Sequence, residues 1–138
     1  MKISDNTIGI LRNFSDINAN ILFKPGKSLS TMSTMKNIMA QADVEEEFES
    51  EFGVYDLPEF LRAIDSFQQP VLKFNGTANL KIQDEKSTLS ARYAFADKST
   101  LRYPSKQISM PDKTVTFSLK NSDYESVKKL YTNLSLPD

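Results

Sequence analysis

Residues 54–67 read VYDLPEFLRAIDSF, and the fold follows from how this stretch is parsed: a strand end, a capped start and one short amphipathic helix. Pro58 has no N–H to offer, so the Asp56 carboxylate accepts from the backbone N–H of Glu59, and Glu59 reaching back would complete a D-x-x-E capping box. Leu57, Phe60, Leu61, Ile64 and Phe67 follow the helical period and share one face. At about 100° per residue, Arg62 falls roughly opposite the stripe of Phe60, Ile64 and Phe67.

Working outward, the same arrangement recurs twice. In residues 4–18 the stripe is Ile10, Phe14 and Ile17, with Arg12 two positions after its first member. In residues 122–134 it is Val127, Tyr131 and Leu134, with Lys129 in the same place. Each helix would bury its apolar face and turn a cation outward. An isolated surface cation is ordinarily just solvated; three in one register, Arg12, Arg62 and Lys129, are less easily dismissed, although apolar spacing of this kind is what any core-facing helix shows.

The remaining segments read as short strands and turns. Residues 1–3 start a strand, with Ser4 or Asp5 capping the first helix. Residues 21–24 and 27–33 flank Pro25-Gly26 and are expected to pair as a hairpin. Alternation of Ile38, Ala40, Ala42 and Val44 predicts a strand over 34–44, with Met32, Met35 and Met39 filling core gaps. Glu45-Glu46-Glu47 lacks the ligand spacing of a calcium loop and reads as a solvated turn. A strand over 48–55 leads into the central helix. Beyond it, strands are expected at 71–74, 78–83 and 87–95, the first two joined through Asn75-Gly76. Residues 96–113, rich in Asp, Lys, Ser and Pro, read as a linker or edge segment without a core of its own, and 115–119 as a strand before the third helix. Short antiparallel strands interspersed with helices make an α+β fold.

Composition narrows the chemistry. The chain has 138 residues, 39% hydrophobic, with 17 basic and 18 acidic side chains for a net charge of -1. A protein gripping nucleic acid through many phosphates carries a basic excess, so any DNA contact here must come from local segregation of charge and be salt-sensitive. Cys and His are both absent, which removes thiol nucleophiles, disulfides, the usual zinc ligands and imidazole acid–base chemistry. Asp56, Glu59 and Asp65 lie on one helix, but no nucleophile, phosphate loop or metal spacing accompanies them, so no enzymatic role and no cofactor are expected. No apolar run is long enough to span a bilayer and MKISDN does not read as a signal peptide, which predicts a cytoplasmic protein without membrane partners.

The stretches MKISDNTIGILRNFSDINANILFKPGKSLSTM, VYDLPEFLRAIDSF and NLKIQDEKSTLSARYAF, taken in that order, resemble the N-terminal half of the sliding clamps of T4-like bacteriophages, the processivity factors of their DNA polymerases. Val127 and Leu134 stand at the same offset from Ile10 and Ile17, as in a chain that restarts its opening strand and helix. The resemblance implies a first clamp-like domain over 1–104, with antiparallel β-sheets and two helices on one face, a connector over 105–114 and an incomplete second copy over 115–138. It implies a homotrimeric ring around duplex DNA, partnered by a polymerase and an ATP-driven clamp loader and performing no chemistry. By position, Arg12, Arg62 and Lys129 would face phosphates from channel-lining helices, with Lys2 and Lys128 as additional candidates. A clamp subunit continues for most of another domain beyond Asp138, which bears on ring closure. The alternative reading is a small α+β protein-interaction module that does not encircle DNA; the clamp requires Arg12 and Arg62 to emerge on one side of the fold, and the module does not.

Overall fold

The computed structural model describes residues 1–76, 78–105 and 115–134, and in it the central helix is α2, Leu57–Asp65. Asp56 caps it, accepting from the Glu59 N–H at 2.8 Å, and Leu57, Phe60, Leu61 and Ile64 are buried, as is Phe67 just past its end. Burying five such side chains contributes roughly 7–15 kcal/mol before the ordering entropy is set against it. The first helix, α1, spans Asp5–Ile17 with Ser4 as its cap. Its buried residues are Thr7, Leu11 and Phe14, with Ile10 and Ile17 only half-buried, so the inward stripe is rotated from the expected one toward Thr7 and Leu11. Thr7 is drawn inward by a polar partner described below. A Cβ added at Gly9 would meet nothing within 4 Å, which leaves this glycine a tolerated surface position.

Among the described residues there are seven strands: β1 Ile21–Phe23, β2 Gly26–Met32, β3 Met39–Phe48 and β4 Phe52–Val54 before α2, and β5 Pro70–Asn75, β6 Asn79–Asp84 and β7 Ser90–Ala94 after it. All pairings among them are antiparallel: β1 with β4, β2 with β3, and β5-β6-β7 in sequence order. The expected β1–β2 hairpin therefore does not form. Strand β1 is buried at all three positions and pairs with β4, which is equally buried, whereas the half-buried β2 takes a half-buried partner in β3. Gly26, at φ +114°, lets the chain leave one pairing and enter the other.

The strand expected over 34–44 starts later. Residues 34–38 are the tip of the β2–β3 hairpin, where the Ser33 hydroxyl accepts from the N–H groups of Asn37 and Ile38. Met35 is 83% exposed there, not core filling; Met32 and Met39 face each other across the ladder instead. Strand β3 runs on through Glu45-Glu46-Glu47, so that run is strand and not a turn. Its alternation leaves Asp43, Glu45 and Glu47 exposed on one face while Val44 and Phe48 go inward.

Phe52 joins the three sheets. It stacks on Phe23 with centroids 4.4 Å apart and lies within 6.0 Å of the Phe48, Phe74 and Phe95 rings. Beside it, Gly53 has a packing reason: a Cβ there would collide with Leu101 Cδ1 and stand 2.8 Å from the Ala96 carbonyl oxygen. Part of the expected linker is thus folded in. Lys98–Thr100 forms a 3-10 turn, Leu101 and Pro104 are buried, and Asn18 Nδ2 donates to the Arg102 carbonyl at 2.9 Å. Residues 106–114 of that segment lie outside the described residues.

The chain divides into two units, Met1–Lys106 and Gln107–Asp138. The described part of the second holds one helix, α3, Asn121–Leu134. Residues 115–119 form no strand among the described residues, because alternation becomes a strand only where another edge accepts its hydrogen bonds. Val127, Leu130 and Leu134 are exposed.

Candidate nucleic-acid interface

The position of α1 is set by one carboxylate from the sheet. Glu46 accepts from the Ser4 N–H and from the Thr7 hydroxyl, two groups of the first helical turn. Burial works against its charged form, but the hydrogen bonds from Thr7 and Ser4 outweigh that and hold the carboxyl below its ordinary 4.5. A group whose folded value is depressed contributes stability above its unfolded value, about 4.5 here, and loses it as pH falls through the folded value. Glu46→Gln is therefore expected to cost roughly 1–2 kcal/mol near neutral pH. In urea titrations the gap to the parent chain should be full above about pH 4.5 and narrow as the pH falls below it; a gap unchanged with pH would show that Glu46 acts by shape and not by charge.

Helix α2 is placed by its cap, by the Leu57 N–H donating to the Ala19 carbonyl at 2.7 Å, and by Phe60, whose ring meets Tyr93 of β7 edge-on at 5.0 Å. It packs beside α1. On the exposed surface the two helices are tied together by Arg12, whose Nη2 donates to both carboxylate oxygens of Asp65 at 2.9 Å. Arg62 precedes Asp65 by three residues, so it is a neighbour on the same surface, with Cβ atoms about 5–6 Å apart. Both arginines are exposed, and both emerge on the side where α1 and α2 lie together.

That surface is not a basic patch. Asp5, Asp16, Glu59 and Asp65 lie on the same two helices, and Arg12 is already paired. An exposed pair of this kind is worth about 0.2–1 kcal/mol, which a phosphate can displace. Arg62 has no ion pair among the described residues. Lys2 stands elsewhere: its backbone bridges to Val71 at the edge of β5 and its ammonium pairs with Glu85. Lys128 and Lys129 are exposed on α3, in the second unit. Asp56 is occupied as a cap and Asp65 as an ion-pair partner, which leaves neither as an acid–base pair. Among the described residues no helix is long and apolar enough to cross a membrane.

No family model matches the sequence. It is 34% identical over 141 residues to the sliding clamp of Vibrio phage KVP40, covering 100% of this chain and 63% of that protein. It is 31% identical over 137 residues to the sliding clamp of Escherichia phage RB69, covering 99% of this chain and 59% of that one. The whole chain is similar to phage sliding clamps. The sliding clamp of Enterobacteria phage T4 aligns over the same extent at 27% identity. The chain spans about three fifths of the length of these relatives. The likeness reaches α3 as well as the first unit, so all three helices bearing the cation template lie within it.

Proposed function

We propose that this chain serves as a DNA polymerase processivity factor, a sliding clamp that encircles duplex DNA and tethers a replicative polymerase without chemistry of its own. The observation that carries the reading is the similarity to proteins named sliding clamp over essentially the entire chain. In this reading α1, α2 and α3 turn toward the duplex, and Arg12, Arg62 and Lys129, with Lys128, meet phosphates. Lys and Arg contacts to phosphate hold the DNA without reading its sequence, as sliding demands. Lys2, paired at the sheet edge, contributes less. Because the cations share their surface with carboxylates, phosphate contacts alone hold the DNA weakly, and closure around it adds to them. The partners are a polymerase and a loader in the cytoplasm of an infected host, and the assembly is a homo-oligomeric ring, a trimer by the resemblance.

The test is topological. Loaded onto nicked circular DNA with polymerase and loader, the protein should stay bound through gel filtration and fall off once the circle is linearised. Equal retention on circular and linear DNA, or none on either, would remove encirclement; light scattering across a concentration range would then separate an open assembly from a monomeric interaction module.

A further inference from the structure

The face of the β5-β6-β7 sheet turned away from α2 carries a row of charge that the clamp reading does not use. Lys73 stands directly opposite Lys81, and Lys81 directly opposite Arg92. Strand alternation puts these three on the face opposite Leu72, Leu80, Ile82 and Tyr93, which go into the core. The other outward positions on the three strands are Val71, Asn75, Asn79, Gln83, Ser90 and Ala94, so these strands place no carboxylate on that face. None of the three cations has an ion pair among the described residues. Lys73 also borders a cleft lined by Glu47 and Glu49, so the row is least compensated at Lys81 and Arg92. Like charges directly opposite one another in a ladder are destabilising, and here two such pairs are contiguous in a chain that is otherwise slightly acidic.

We propose that this face docks an acidic helical segment of a partner protein laid across the three strands. Neighbouring strands are about 4.8 Å apart, and carboxylates placed once per turn along one side of a helix recur about every 5.4 Å. Glu or Asp at positions i, i+4 and i+7 of a partner helix therefore meets Lys73, Lys81 and Arg92 in turn. Nucleic acid fits less well: the row is short, it offers no aromatic side chain for base stacking, and the same unit exposes Asp43, Glu45 and Glu47 on β3.

The test uses the full 138-residue chain with an alanine-based helical peptide of about 15 residues carrying Glu at i, i+4 and i+7. Its controls are an isomer with the same Glu count scattered around the helix and a single-stranded DNA of about 20 nucleotides. Binding is read by anisotropy and mapped by amide NMR shifts. The one-sided peptide should shift amides of β5–β7, and changing Lys73, Lys81 and Arg92 together to Gln should weaken it on the order of tenfold, each single change about twofold. Lys81→Glu relieves both like-charge pairs, so it should raise the melting temperature while weakening the peptide, a combination that loss of fold cannot produce. Equal binding of the two isomers, shifts confined to other surfaces, or tighter binding of the DNA at this row would overturn the proposal.

Discussion

Changing Arg12, Arg62 and Lys129 together to Glu is expected to cut polymerase processivity in the presence of loader by at least about tenfold, with the fold intact. All three side chains are exposed, and among the described residues the substitutions break a single ion pair, Arg12 with Asp65, worth about 0.2–1 kcal/mol. If each cation neutralises one phosphate, removing three lowers the slope of log affinity against log salt by about 2.7. Placing carboxylates at the same points adds repulsion to that effect. Asp65→Asn should move DNA retention the other way, because it releases Arg12 and removes a carboxylate from the same surface. The measurement is primer-extension product length at several salt concentrations for the parent, the triple variant and Asp65→Asn. Unchanged product length in the triple variant would remove these residues from DNA contact and leave the clamp reading to rest on topology alone.

Phe60→Ala is expected to be the most damaging single substitution for stability, at about 3–5 kcal/mol. Phe60 is fully buried, it sits mid-way along α2, and its ring meets Tyr93 of β7. The cavity would open between the helix that carries Arg62 and the sheet that supports it. Against a domain stability of about 5–15 kcal/mol, this change lowers the melting temperature by about 15–30 °C. Phe60→Leu, which keeps most of the volume, should cost less than half as much. Calorimetry of the three proteins checks the order; equal destabilisation by Ala and Leu would mean that the ring's edge contact with Tyr93, rather than the filled volume, is what α2 depends on.

Much of this molecule is legible in its residues alone. Asp56, Pro58 and the apolar stripe behind them specify α2 by local rules, since a cap, a missing N–H and a helical period act within one turn of their own residues. The same holds for Asn75-Gly76 and the β5–β6 hairpin, where turn chemistry sets a register between adjacent strands. The exposure of Arg12 and Arg62 follows from helix geometry. The likeness to phage sliding clamps is likewise carried by residue order, because whole-chain similarity needs no knowledge of contacts.

What only the tertiary structure decided were the interactions between residues distant in sequence. Pro25-Gly26 looks like a hairpin turn, yet β1 pairs with β4, because a strand buried on both faces seeks an equally apolar partner wherever the chain supplies one. The Glu45-Glu46-Glu47 run looks like a solvated turn, but Glu46 is taken up by the first turn of α1 while Asp43, Glu45 and Glu47 line the outer face of β3. Alternation at 115–119 produced no strand among the described residues. The pairing of Arg12 with Asp65 and the row of Lys73, Lys81 and Arg92 arise from helix packing and strand register. Charges far apart along the chain become neighbours only when the backbone brings them together, so local pattern can say that a side chain faces water, and the fold alone says which charge it faces there.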